Sequence, residues 1–148
     1  MSTNAKGRFP HWRKYDSYKK QLVVNESIMD TFRDIGCITC GFHAKRVLCA
    51  HHYFGKRFHA NHTAMRNKST FKFVSELSKC VCLCQNCHSL HHADLLPIGP
   101  DKYLKFLVNF ISRLNSSGQY CGAINLSEQH ADSRIANSSK IKISPGLP

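Results

Sequence analysis

Apolar residues recur with a helical period in the first part of the chain. Between residues 17 and 35 they fall near one stripe of a helix, and Gly36 is a typical helix stop. The stripe consists of Leu22, Val23, Met29, Phe32 and Ile35. The pattern predicts a packing helix that delivers the chain to the next segment.

A second helical pattern follows the break made by Pro97, Gly99 and Pro100. Asp101 is a suitable N-cap, and we predict a helix over residues 101–114. Its apolar positions recur at i, i+3, i+4, i+7 and i+8, which favours an amphipathic helix that covers the core. These positions are Tyr103, Leu104, Leu107, Val108, Ile111 and Leu114.

The segment between these helices contains shorter elements. Residues 46–52 form a β-prone run that ends in a histidine pair, and residues 80–83 suit a second strand. Residues 85–93 suit a helix, on which His88 and His92, at i and i+4, would project from one face. The predicted order is strand, long basic loop, strand and helix, flanked by two longer helices. This order indicates an α+β fold.

Composition limits both the core and the class of partner. The 148 residues are 42% hydrophobic, which suits one domain with a modest core. The net charge is +12, from 21 Lys and Arg against 9 Asp and Glu, and it favours a polyanionic partner such as nucleic acid. No stretch reaches the roughly 18 apolar residues of a membrane helix, and the basic start lacks the apolar segment of a signal peptide. We expect no membrane partner and a cytoplasmic location.

The spacing of the cysteines indicates a metal site. Four of the eight form two C-x-x-C pairs, Cys37 with Cys40 and Cys84 with Cys87, separated by 43 residues. Each pair makes a turn that aims two thiolates at one point, and two such turns complete the tetrahedral sulfur site that suits structural Zn²⁺. A thioredoxin-like redox site fits less well, because it uses one C-x-x-C in a βαβ context. Cys82 alternates with Cys84 and could compete for the metal.

Eight of the ten histidines lie in the window that holds both cysteine pairs. One strand imidazole and two helical imidazoles are enough to hold a catalytic metal and leave positions open for water and phosphate. Neighbouring strand residues alternate between faces, so the other member of the His51–His52 pair is free to act as a base. We expect His43, His59 and His62, which lie in basic loops, to be solvated.

These motifs resemble those of the HNH endonucleases. The order is a C-x-x-C pair, a His-His pair, and then L-C-x-x-C-H with a further histidine. The segment ELSKCVCLCQNCHSLHH at residues 76–92 is similar to the zinc-knuckle HNH nucleases that are common in bacteriophages. The resemblance covers about residues 37–93. It implies a small zinc-stapled ββα-metal core with flanking N- and C-terminal helices.

The resemblance also implies a role for each histidine. His51 would be a ligand of the catalytic metal, where many family members have Asp. His52 would be the general base that activates water. His88 and His92 would be the second and third metal ligands, and His91 would be a bystander. The predicted catalytic set is therefore His51, His52 and His88.

The chain departs from the family at the middle Asn. In HNH nucleases this residue lies just before the second strand and braces the loop that carries the base. That place falls at or near Lys79 here, whereas Asn61 and Asn67 are too far upstream unless the loop folds back. The sequence leaves open which residue takes its place.

The implied activity is hydrolysis of DNA phosphodiester bonds to 5′-phosphate and 3′-hydroxyl ends, by nicking or double-strand cleavage. It would use a structural Zn²⁺ and a catalytic divalent metal, for which all-imidazole ligands suit Zn²⁺, Ni²⁺ or Mn²⁺ better than Mg²⁺. Small freestanding members are often phage-encoded homing enzymes, which would act in the host cytoplasm as a monomer or homodimer. A restriction or DNA-packaging role is equally open. The alternative is a non-catalytic zinc module that binds nucleic acid, for which the histidine set is not required.

Seven basic residues and no acidic residue lie between residues 45 and 72, and beside a phosphodiester site they favour phosphate contact. They are Lys45, Arg46, Lys56, Arg57, Arg66, Lys68 and Lys72.

For the whole chain we predict a basic flexible arm over 1–16, a nuclease domain over 17–114 with its motif core at 37–93, and a disordered tail over 115–148.

Overall fold

The computed structural model describes residues 11–120. Five α-helices, a short 3₁₀ turn and a two-stranded sheet make up this part of the chain. In chain order they are α1 (His11–Arg33), the 3₁₀ turn (Lys45–Val47), β1 (Leu48–His52), α2 (His62–Asn67), α3 (Thr70–Leu77), β2 (Cys80–Cys84), α4 (Gln85–His92) and α5 (Pro100–Ser117). The predicted α+β fold class is confirmed.

The sheet places the histidine pair beside the start of β2, and Cys84 at its other end opposite Leu48. β1 and β2 are antiparallel, with His51 opposite Val81 and His52 opposite Cys80. β2 runs directly into α4, whose N-cap is Cys84. Since no linker separates strand and helix, α4 packs on both strands and lies beside the end of β1.

The core lies between the two long helices and β2. The ring of Phe32 on α1 makes edge contacts with Phe106 and Phe110 on α5, at centroid distances of 5.0 and 5.3 Å. Tyr103 of α5 stacks on Tyr53, just after β1, with ring centroids 4.6 Å apart. Aromatic contacts of this kind dominate the energetics of a small core. Among residues 11–120, no helix is long and apolar enough to cross a membrane.

A buried amide joins α1 to the segment between the strands. Asn25 is fully buried, and its Nδ2 donates to the carbonyl oxygens of Met65 (2.9 Å) and Lys68 (3.0 Å). Carbonyls at the end of a helix have no intrahelical partner, and this side chain satisfies them. The contact therefore fixes α2 against α1.

The flanking helices are longer than predicted. α1 already includes His11, so residues 11–16 of the predicted arm are helical. Most residues of α1 from Asp16 to Lys20 are exposed, which explains why no apolar stripe marks the early turns. At the other end, Gly99 rather than Asp101 caps α5, and the helix ends at Ser117 instead of residue 114. Residues 1–10 and 121–148, the rest of the predicted arm and tail, lie outside the described residues.

The predicted basic loop between the strands contains two helices, and in this respect the prediction was wrong. Asn61 caps α2 by accepting a hydrogen bond from the backbone N of Ala64 (3.1 Å), and Ser69 caps α3. The interspersed cations conceal the apolar face of α3, which buries Phe73, Val74 and Leu77. β1 and β2 themselves begin and end within two residues of the predicted strands.

Candidate functional site

The four cysteines of the two C-x-x-C pairs meet at one point. The Sγ atoms of Cys37, Cys40, Cys84 and Cys87 all lie within 4.8 Å of one another, and those of Cys40 and Cys84 are 3.6 Å apart. Four thiolates at this spacing form the donor set of a structural Zn²⁺ site. The cluster, here called the cysteine quartet, can therefore hold a metal such as zinc, as the spacing predicted.

Backbone hydrogen bonds shape the first cysteine turn. The N–H of Gly41 donates to the carbonyl of Cys37 (2.8 Å), and the N–H of Cys37 donates to that of Phe42 (2.9 Å). Gly41 has φ +73°, a conformation that residues with a Cβ rarely adopt. The N–H of Ile38 donates to Cys82 O at 3.0 Å, which ties the turn to β2. Backbone hydrogen bonds thus hold the turn in place without requiring a metal.

Cys84, not Cys82, is the member of the quartet on β2. Cys82 is fully buried, and burial raises the pKa of its thiol to about 12. Burial also opposes ionisation of Cys37, but hydrogen bonding in the turn lowers the pKa of that thiol to about 7. Geometry rather than pKa excludes Cys82, because burial also raises the pKa of Cys87, whose Sγ does belong to the quartet.

Three imidazoles from two elements converge beside the sheet. One ring nitrogen from each of His51, His88 and His92 lies within 4.8 Å of the others. The Nε2 atoms of His88 and His92 are 3.2 Å apart, and the ring centroid of His51 is 5.0 and 5.1 Å from theirs. The two helical residues share one face of α4, as their i, i+4 spacing predicted. This group, the histidine triad, can hold a metal ion.

The surroundings of the triad favour the neutral form of two of its imidazoles. His51 is 8% exposed, and burial together with the nearby His91, His88 and His92 lowers its pKa to about 4. Burial and the other α4 histidines also lower the pKa of His88. A neutral imidazole offers the lone pair that ligation needs, so His51 and His88 favour the form that binds a metal.

His91 packs against the triad without being part of it. Its Nδ1 lies 2.9 Å from Leu96 O, and its ring makes an edge contact with His51 at a centroid distance of 4.5 Å. It supports the ring of His51, which is more than the predicted bystander role includes. The histidines predicted to be solvated are exposed, namely His43, His59 and His62.

His52 is turned away from the triad and is bound to a carboxylate. Its Nε2 lies 3.0 Å from Oε1 of Glu76, a residue of α3 that is 1% exposed. The same oxygen accepts the backbone N–H groups of Arg57 (2.7 Å) and Phe58 (3.3 Å). The other oxygen, Oε2, accepts from Nζ of Lys79 at 3.1 Å. One buried carboxylate thus contacts both the histidine and the loop that follows it.

Sequence reasoning missed Glu76. It lies just before β2 and hydrogen-bonds the loop after His52, which is the bracing task that the resemblance gives to the middle Asn. Lys79, the position expected for that Asn, instead pairs with the carboxylate. A glutamate in a basic, helix-forming stretch is usually solvated, so only its place among the buried residues Phe73, Val74 and Leu77 could have signalled it.

An open cavity of about 630 Å³ lies beside His52, between α1, β1 and residues 59–62. Its wall includes Arg33 from the last turn of α1, whose Nε is buried and has no hydrogen-bond partner among residues 11–120. Glu26 and Asp30 add negative charge to the same wall. A guanidinium with an unused donor suits a phosphate oxygen. Sequence reasoning missed Arg33 because it lies in α1, outside the motif core.

The seven predicted phosphate-binding residues flank β1 and continue onto the helices between the strands. Lys45 and Arg46 lie in the 3₁₀ turn, Lys56 and Arg57 follow β1, and Arg66, Lys68 and Lys72 lie in or beside α2 and α3. All are exposed except Lys68, which is half-buried with Nζ 5.1 Å from the ring centroid of Phe58. Lys45 pairs with Asp34 at 2.7 Å, so part of its charge is already compensated.

No known protein family, curated protein or solved structure matches this chain. The cysteine quartet, the histidine triad and the His52–Glu76 pair therefore carry the functional inference.

Proposed function

We propose that this protein is a metal-dependent DNA endonuclease of the HNH type. The observation that carries the proposal is the convergence of His51, His88 and His92 at one point, while the neighbouring His52 is held by a buried carboxylate. The order β1, β2 and α4, with a cysteine quartet at the junction of strand and helix, supports a ββα-metal core.

The histidine triad fits a divalent cation. Its three ring nitrogens lie close enough to share one ion, and three protein ligands leave coordination positions for substrate, as catalytic metal sites require. Imidazole donors favour Zn²⁺, Ni²⁺ or Mn²⁺ over Mg²⁺. A cation bound there would supply Lewis-acid stabilisation of the negative charge on the phosphate.

His52 acts as the general base in this proposal. It takes a proton from water as the water oxygen bonds to phosphorus and the bond from phosphorus to the 3′ oxygen breaks. General base catalysis typically supplies about 10²- to 10⁴-fold, whereas enzymes reach about 10⁶-fold or more. Electrostatic stabilisation and positioning of the phosphate must supply the remainder.

Cations around the site bind the DNA backbone. Arg33 lines the cavity beside His52, and we propose that its guanidinium binds a phosphate oxygen there. The exposed Lys56 and Arg57 lie in the same loop that Glu76 braces, so substrate contacts there are held close to the base. The net charge of +12 favours approach of a polyanion from any direction.

The second candidate function is a non-catalytic zinc module that binds nucleic acid. The cysteine quartet and the exposed cations would be sufficient for it. Such a module does not require three converging imidazoles. Nor does it require a buried carboxylate that is hydrogen-bonded to a fourth imidazole, that of His52. The histidines are therefore the feature that discriminates between the two functions.

Cleavage of supercoiled plasmid DNA with added Mg²⁺, Mn²⁺, Ni²⁺ or Zn²⁺ tests the proposal. We expect the parent protein to nick or linearise the plasmid, and His52→Ala to lose at least about 10²-fold in rate while its gel-shift binding is retained. His43→Ala is a matched control, because it removes an exposed histidine outside the site. Binding without cleavage by the parent would favour the non-catalytic module. Equal cleavage by parent and His52→Ala would refute the base assignment.

A further inference from the structure

We propose that Glu76 is a positioning residue that holds Nε2–H of His52, so that Nδ1 is the nitrogen that takes the proton from water. The role of His52 as a base rests on the proposed function. The tautomer of His52 is independent of that function, because it follows from the hydrogen bonds that Glu76 makes.

The carboxylate of Glu76 is almost fully engaged. Oε1 accepts from Nε2 of His52 at 3.0 Å and from the backbone N–H groups of Arg57 and Phe58 at 2.7 and 3.3 Å. Oε2 accepts from Nζ of Lys79 at 3.1 Å. With a side chain 1% exposed, these contacts replace the water that an ionised carboxylate would otherwise need.

The charge state of Glu76 determines the tautomer of His52. Burial by itself would raise the pKa of this carboxyl, but the hydrogen bonds from His52, Arg57 and Lys79 lower it to about 2. An ionised carboxylate has no proton to donate, so Nε2 of His52 must carry the hydrogen of the bond. In the neutral ring the lone pair is then on Nδ1.

Glu76 also fixes the backbone just after the base. The two backbone N–H groups that it accepts come from the loop following β1. The start of that loop is held separately, because Tyr53 N donates to Lys79 O at 2.9 Å and the Tyr53 ring stacks on Tyr103. The ring of His52 is therefore positioned by an anchored carboxylate and carried by an anchored backbone, which is the condition for a base of fixed orientation.

His52 borders an open cavity that Glu76 does not reach. The cavity of about 630 Å³ is lined by His52 and not by Glu76. A space large enough for water and a phosphate group therefore lies beside the histidine. This arrangement of acceptor, imidazole and open space is the same logic that orients the histidine of a catalytic triad.

Nitrogen-15 NMR of the zinc-loaded, full-length protein tests the tautomer directly. The two ring-nitrogen signals of His52 are identified as those that are missing from the spectrum of His52→Gln. In the neutral ring, which is observed at alkaline pH, we expect a protonated Nε2 and an unprotonated Nδ1. A neutral ring with its proton on Nδ1 would overturn the proposal. This measurement decides the question even if the protein cleaves nothing, so its outcome is separable from that of the proposed function.

Two substitutions of Glu76 test the role in catalysis. In Glu76→Gln the amide oxygen can replace Oε1 and keep all three of its hydrogen bonds, so we expect the same tautomer and a retained fold. The charge that stabilises the imidazolium is lost, and kcat should fall by about 10- to 100-fold with KM unchanged, as for other groups that orient a histidine. In Glu76→Ala both the tautomer preference and the brace are lost, and kcat should fall further.

Controls keep the result interpretable. Asp101→Asn removes the same charge at the exposed start of α5 and should change neither kcat nor the His52 signals. Zinc content and circular dichroism report whether each variant folds. If Glu76→Ala does not fold, Glu76→Gln still decides the matter. A folded Glu76→Gln with parental kcat, in a parent that cleaves DNA, would contradict the positioning role.

Discussion

The ring centroids of His51 and His88 lie 5.0 Å apart, although one residue belongs to β1 and the other to α4. The two side chains could not share a cation if they pointed apart or lay a nanometre from each other. The proximity arises because β2 pairs with β1 and then continues without a linker into α4. The strand pairing thus places one of the three clustered imidazoles, and the strand-to-helix junction places the other two.

Loss of one quartet thiolate should unfold the protein. Structural zinc contributes about 10–16 kcal/mol in small zinc peptides, which is similar in size to the typical net stability of a domain, about 5–15 kcal/mol. We therefore expect Cys37→Ser to lose bound zinc and helical circular dichroism together. Cys49→Ser is the control, since Cys49 is outside the quartet and its hydrogen bond to Leu83 O can be made by a hydroxyl. A folded, zinc-replete Cys37→Ser protein would count against the quartet.

The neighbouring histidines 91 and 92 should differ in metal affinity. Nickel titration calorimetry of the zinc-loaded parent should show one further site. His92→Ala removes a triad ligand and should weaken that site by at least about tenfold, that is, by more than 1.4 kcal/mol. His91→Ala removes a ring that packs on His51 and hydrogen-bonds to Leu96 O but is not part of the triad, so the metal affinity should stay within about threefold of the parent's. Equal losses in the two variants would remove the distinction between ligand and neighbour.

Binding of DNA should depend steeply on salt. About six phosphate contacts predict a loss of about 10³-fold in affinity between 50 and 200 mM salt. Replacing Lys56, Arg57, Arg66 and Lys72 together by Gln should reduce the slope of log K against log salt by about 3 to 4. Gel shifts over a salt series measure this. The exposed pair Lys102 and Lys105 on α5, replaced by Gln, should leave the slope nearly unchanged.

Acid should destabilise the metal-free triad through His51. The pKa of this residue is about 4 in the folded protein and 6.5 when unperturbed, so the unfolded chain binds a proton that the folded chain does not between these values. Stability therefore falls as pH is lowered from about 6.5 to about 4. His51→Gln should lack this component in urea unfolding without added divalent metal. If the free energy of unfolding depended on pH to the same extent in both proteins, the assignment of this effect to His51 would be wrong.

The ligand residues were predictable because their spacing carries the chemistry. Two C-x-x-C pairs and an i, i+4 histidine pair have few other uses, and the strand that presents His51 is marked by its β-prone residues. Glu76 and Arg33 were not predictable, because their roles depend on burial and on the packing of α1 and α3, which no local pattern shows. The two helices between the strands were missed for a related reason, since lysines and arginines surround a short apolar face.

The pairing of β1 with β2 also determines which histidine faces which helix. Consecutive strand residues face opposite sides, so sliding β1 by one position would direct His52 toward α4 and His51 toward α3. The metal-binding cysteines at the end of β2, and the turn hydrogen-bonded to Cys82, oppose such a slide. Zinc in this protein would accordingly act as a register lock that keeps two adjacent, chemically identical side chains from exchanging their tasks.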